Sequence, residues 1–212
     1  METTKILQTP PRILMQSKRE EYFEKGFVTL KNIIPVEWIT RLSICSDRLL
    51  EESRAVTESN DAFDLGPQHN DRSPHVRRLK ALVDRDPVYW EFASESLLGD
   101  IAADLVGPDV KFHSSKLNYK CPGSGEVVKW HQDIPAWPHT NYSLVTLGVY
   151  LEDVTEIKGP LISIPKSHDG PLFFHTDDNG KWSGTINEND MEDVDQSSAE
   201  KMIGPAGSVV AI

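Results

Sequence analysis

Residues 143–165, SLVTLGVYLEDVTEIKGPLISIP, decide the reading of the fold. Two runs rich in β-branched and aromatic residues, 143–154 and 161–165, stand on either side of a turn-forming TEIKGP. Working outward, the same texture recurs in VKFHSSKLNYK (110–120), EVVKWHQD (126–133) and GSVVAI (207–212), punctuated by CPGSG and KSHDGP. Strands this short and this regularly interrupted predict an antiparallel sandwich or barrel rather than a parallel sheet. Between Gly170 and Gly204 lies an acidic stretch rich in Gly, Asn and Asp, too long for a plain connection, which reads either as a lid or as a solvated loop.

Upstream of Pro108 the periodicity is helical. Ser17 and Glu20 have the spacing of a capping box for a short helix ending near Gly26, and GFVTLKNIIP then reads as a strand and turn. From Pro35 to about Ala55, Ile39, Leu42, Cys45, Leu49 and Leu50 recur at helical spacing. Residues 59–78 carry no period and predict an exposed loop, and one helix is expected from Asp86 and Pro87 to Gly107. The expected organisation is one domain over 1–212: a mainly helical flank at 17–107, then β structure at 108–212 with the insertion at about 170–204.

Composition narrows the function classes. A formal net charge of -11 argues against nucleic acid, whose phosphates require clustered Lys and Arg. The N-terminal residues lack the apolar core of a signal peptide, and no run approaches the roughly 18 apolar residues of a membrane span. The expectation is a cytoplasmic protein acting on a small molecule. Cys45 and Cys121 form neither a CxxC pattern nor a disulfide framework and read as two reduced thiols.

Within KWHQDIPAWPH (129–139) a histidine and an aspartate stand two apart. Seven His and 33 acids among 212 residues give about one such spacing by chance, and the chain has three: His69/Asp71, His131/Asp133 and His175/Asp177. His69 and His175 fall in turn-rich segments that offer no rigid platform. Only His131 ends a predicted strand, whose two-residue period sends His131 and Asp133 to one face. That suits two facial ligands of one metal, although a complete 2-His-1-carboxylate site needs a second histidine from elsewhere. On spacing alone a surface pair, or a pair that only supports a site, is the stronger reading.

The runs SSKLNYKCPGSGEVVKWHQDIPAWPH, GVYLEDVTEIKGPLISIPKSHDGPLF and GPAGSVVAI, in this order over about half the chain, resemble the phytanoyl-CoA dioxygenase family of iron(II)/2-oxoglutarate oxygenases, which includes ectoine hydroxylases. The resemblance implies a double-stranded β-helix, a cupin-like jelly-roll, with flanking helices. It implies Fe(II) held by His131 and Asp133, and 2-oxoglutarate lined by Lys116 and Asn118, with Trp137 close to co-substrate and substrate. His168 matches a family histidine that shapes a loop. The implied reaction hydroxylates a small organic substrate with dioxygen while 2-oxoglutarate becomes succinate and CO2.

One departure accompanies the match. In the family a second iron-binding histidine and then a 2-oxoglutarate-binding arginine follow a strand like GPAGSVVAI, whereas this sequence stops at Ile212. The expectation drawn from this is a truncated product, incomplete at its C-terminal end, with a non-catalytic relic that binds a small molecule or partner as the alternative. His113, His139 and His175 are the internal histidines that could substitute, His113 lying by parity on the face opposite Lys116 and Asn118; Lys116 or Lys80 could supply the missing cation.

Overall fold

The computed structural model describes residues 2–120, 127–137, 139 and 141–212. Among them are the α-helices α1 (Thr3–Gln8), α2 (Gln16–Lys25), α3 (Val36–Glu52), α4 (Pro87–Glu95) and α5 (Leu98–Val106). The strands are β1 (Val28–Leu30), β2 (Phe63–Leu65), β3 (Val76–Lys80), β4 (Lys116–Asn118), β5 (Leu147–Val149), β6 (Leu161–Ser163), β7 (Glu200–Met202) and β8 (Val209–Ala211). They pair antiparallel, in the orders β1-β8-β5, β2-β3-β4 and β6-β7. The architecture is the expected jelly-roll type with helices on its flank.

Strand β8 sits at the centre of its sheet and is buried on both faces. Val209 and Ala211 join the main core with Val28, and Val210 packs with Phe27 and Met202 on the other side. Burial on both faces explains why GSVVAI reads as a continuous apolar run instead of an alternating one. The neighbouring β5 carries Gly148 opposite Val210, where a Cβ would come within 2.8 Å of the valine's Cγ2.

The helices follow their sequence signals with two corrections. Helix α3 buries Ile39, Leu42, Cys45 and Leu49 as their spacing predicts. The expected capping box at Ser17 does not form: α2 begins at Gln16 with Met15 at its N-cap, two residues earlier, which places Ser17 inside the first turn, and Glu20 instead accepts a hydrogen bond from the Gln16 side chain at 3.1 Å. The expected single helix of 86–107 is two, because Ser96 takes an extended backbone and its hydroxyl accepts from the Leu98 N–H, starting a new helix. Asp86 caps α4 by accepting the Val88 N–H at 2.9 Å.

Two β readings are also corrected. The segment 59–78 contains β2 and most of β3 rather than an exposed loop: Phe63, Val76 and Leu79 are all buried. The register slips opposite Asp64, and this bulge turns Val76 and Leu79, three positions apart, both inward. A search for strict two-residue alternation passes over such a strand. Conversely, residues 127–133 of the expected EVVKWHQD strand form no strand, since their backbone groups bond to the 170–187 segment instead of to a neighbouring ladder. The remainder of that strand and the CPGSG turn, with Cys121, lie outside the described residues. Cys45 is a buried free thiol.

Two polar ties fasten the flank. The fully buried Arg19 of α2 donates from Nε to the Asp104 carbonyl at 3.1 Å and from its terminal nitrogens to Thr9, Gln16 and Ile6. The Asp104 carboxylate accepts the backbone N–H groups of Arg12, Ile13 and Leu14 at 2.7–2.9 Å. At the other end of α2, Gly26 stands at φ +85°, and the loop of His168 caps the helix: Lys166 N–H donates to Lys25 O at 2.8 Å and the His168 ring bonds Phe23 O at 3.1 Å. His168 thus shapes this corner as the family likeness implies.

A candidate metal and co-substrate site

The stretch after residue 127 is irregular, yet it brings His131 and Asp133 together. His131 Nε2 lies 3.4 Å from Asp133 Oδ1, and the two side chains are about one-third exposed, at 33% and 29%. Each is held from behind. The Lys129 carbonyl lies 2.9 Å from His131 Nδ1, which keeps a proton on that nitrogen and leaves Nε2 to face the carboxylate. Asp133 Oδ2 accepts the Thr146 hydroxyl at 2.7 Å, leaving Oδ1 to face the imidazole.

Electrostatics follow from this arrangement. Asp133 is held down to about 2, first by the His131 ring beside it and then by the Thr146 hydroxyl, against the opposing effect of burial. His131 is raised above the usual imidazole value, chiefly by Asp133, with Lys116 pulling weakly the other way. One nitrogen and one oxygen donor thus face each other, the two donor types that a divalent ion with a preference for imidazole and carboxylate would take. They fill two positions of such an ion. No third His, Cys, Asp or Glu joins them in a metal-holding cluster among the described residues.

The expected co-substrate residues lie near this pair in part. Lys116 and Asn118 share the outer face of β4, with Leu117 turned the other way. Lys116 Nζ stands 6.0 Å from the Trp137 ring centroid. Asn118 does not present its carbonyl freely, since Oδ1 accepts the Arg78 Nε–H at 3.1 Å. The register places Lys80 opposite Lys116 and Arg78 opposite Asn118, so this face of the sheet gathers three cations.

The internal histidines go elsewhere. His113 packs edge-on against Trp137 with centroids 5.0 Å apart, so the parity argument that set it away from Lys116 is corrected; it sits outside the strand, where alternation does not apply. His139 bonds the Ile134 carbonyl. His69 and His175, expected to lack a rigid platform, are both anchored: His69 bonds the carbonyls of Ser53 and Val56 and accepts the His75 N–H, and His175 is 3% exposed with Nε2 accepting the Gln132 N–H at 2.8 Å. That last bond occupies the lone pair a metal would need. Thr146 was not singled out from sequence, and His175 was considered there only as a substitute ligand, because nothing in the spacing ties either residue to the segment of His131 and Asp133.

Comparison with known proteins places the chain. It is 26% identical over 203 residues to a probable alpha-ketoglutarate-dependent hypophosphite dioxygenase of Stutzerimonas stutzeri, covering 92% of this chain and 69% of that protein. It is 29% identical over 148 residues to an ectoine dioxygenase of Sphingopyxis alaskensis, covering 68% of this chain but only 46% of that one. Among solved structures, EctD from S. alaskensis with 2-oxoglutarate and 5-hydroxyectoine superposes with a TM-score of 0.77 at 21% identity, covering 98% of this chain and 71% of that chain. EctD with bound Fe gives 0.75 at 23% identity, covering 94% and 68%. The double-stranded β-helix is shared. With the family match running over residues 22–212, the chain belongs to the phytanoyl-CoA dioxygenase (PhyH) family.

Proposed function

We propose that the protein is an iron(II)/2-oxoglutarate-dependent dioxygenase acting on a small organic or inorganic substrate, with the metal held by His131 and Asp133. The observation that carries this is the convergence of His131 Nε2 and Asp133 Oδ1 while Lys129 O and Thr146 hold the far side of each group. When bound, iron with 2-oxoglutarate and dioxygen supplies the oxidising chemistry, yielding succinate, CO2 and an oxidised substrate.

The chain's own residues do the rest. Lys129 O fixes the imidazole tautomer and ring plane, as an outer hydrogen bond does for a ligating histidine. Thr146 keeps one carboxylate oxygen turned inward. Lys116, with Lys80 and Arg78 on the same sheet face, offers positive charge to an anionic co-substrate, and Trp137 provides a flat apolar wall beside the Lys116 ammonium. Asn118 acts on this reading by holding the Arg78 guanidinium in place.

Anaerobic titration of the chain with Fe(II) and 2-oxoglutarate, followed by the visible charge-transfer absorption of the chelate, tests the assignment. A saturable band lost in His131→Ala and in Asp133→Ala is expected; a band indifferent to both changes sinks it. Hypophosphite and ectoine, for which the two relatives are named, head the substrate panel, with succinate formation as the readout.

A further inference from the structure

The residues 171–187 do not form a free flap. They splint the segment that carries His131 and Asp133. The Gln132 side chain donates to Pro171 O and accepts from Phe173 N–H, each at 2.9 Å, and Ile186 N–H donates to Trp130 O at 2.9 Å. At the centre of the splint is His175. Its Nε2 accepts the Gln132 backbone N–H at 2.8 Å, and its Nδ1 lies 3.0 Å from Phe173 O. An N–H donor on one side and a carbonyl on the other leave one arrangement, a neutral imidazole with its proton on Nδ1.

The ring is itself held. Trp182 stacks on it with centroids 5.7 Å apart and planes 17° from parallel. The backbone bridge between Thr176 and Trp182, closed by Asp177 N–H to Lys181 O and Ser183 N–H to His175 O, makes a tight hairpin with His175 at its base. The Gln132 N–H belongs to the peptide plane that leaves His131. Its direction sets ψ of His131 and the heading of the chain into Asp133, so whatever holds that N–H sets the aim of both donors.

We propose that His175 is a positioning residue for the His131–Asp133 pair: by accepting the Gln132 N–H it fixes the peptide between the two donors and ties their geometry to the 171–187 hairpin. This rests on the reading of that pair as metal-binding. A second-layer hydrogen bond of this kind is worth about 10- to 100-fold in metal affinity.

The test compares His175→Phe, which keeps an aromatic ring against Trp182 but has no acceptor, with His175→Gln, whose amide oxygen can take the place of Nε2. Anaerobic Co(II) binding in the presence of 2-oxoglutarate is measured by visible absorption, alongside thermal melting of the metal-free chains. The expected result is Co(II) binding weakened tenfold or more in His175→Phe, restored to within about threefold of the parent in His175→Gln, and cooperative melting in all three. Equal affinity in His175→Phe and the parent overturns the proposal, as does a His175→Gln protein as weak as His175→Phe. Should His175→Phe fail to fold, His175→Asn, whose shorter amide falls short of Gln132, takes its place under the same criteria. A parent isotherm unchanged by His131→Ala is a separate outcome: it removes the metal assignment itself, and the positioning role with it.

Discussion

The Thr146 hydroxyl holds the Asp133 oxygen that faces away from His131, and that makes Thr146 the most informative residue to change. Thr146→Val keeps the shape and removes the donor, so one carboxylate oxygen loses its partner and the group can swing. Metal affinity, read by Co(II) titration, should fall by roughly tenfold, in line with the loss of a charge-assisted hydrogen bond of about 1.5–3 kcal/mol discounted for partial exposure. Acidity enters through the same pair. His131 is raised above the usual imidazole value by Asp133, and a metal must displace that proton. Metal binding should therefore be full above the raised His131 value and weaken as pH falls through it, with His131→Ala removing both binding and its pH dependence. In the metal-free chain the sign for Asp133 is that of a depressed carboxylate: its contribution to stability is present above the unfolded value near 4 and is lost as pH falls toward about 2. At this scale the strand context that set this H-x-D apart does not hold, since residues 127–133 form no strand and His69 and His175 are anchored too; the pair was singled out by the family likeness of the sequence around it. Its supports were not legible: Thr146 reaches Asp133 from 13 residues away and His175 reaches Gln132 from 43, and single-chain spacing carries no information about such contacts.

Elements were legible where one period ruled them. Helix α3 came through because its buried residues keep helical spacing, and β8 because a short apolar run bounded by glycine reads as a buried strand. Failures trace to particular devices: a bulge opposite Asp64 hid β3, Ser96 broke one helix into two, and the alternation of 127–133 found no ladder to join. Capping gives a direct check. Asp86→Ala removes the acceptor for the Val88 N–H and should lower stability by about 1 kcal/mol, seen as a reduced denaturation midpoint at unchanged slope. Gly26→Ala should cost more, about 1–3 kcal/mol, because φ +85° disfavours a side chain and the new Cβ would meet the His168 ring at 2.4 Å. If Gly26→Ala melts with the parent, the capping role given to the His168 loop is wrong.

Across the whole molecule, stability is tied by contacts that join distant parts of the chain. Asp104 holds three backbone N–H groups of residues 12–14 while Arg19 takes the Asp104 carbonyl. Asp104→Ala strands those donors while leaving the Arg19 bond to the backbone carbonyl in place, so a loss of about 1–3 kcal/mol is expected in chemical denaturation, against under about 1 kcal/mol for an exposed pair such as Arg41–Glu91. The central placement of β8 has a consequence in time rather than in energy. Val28 pairs with Ala211, so β1 must remain without its neighbour until about 180 more residues have left the ribosome. At synthesis rates of about 5–20 residues per second that is a delay of roughly 10 to 40 s, during which an apolar edge waits unmated, and the nascent chain's need for a chaperone should be concentrated in that interval.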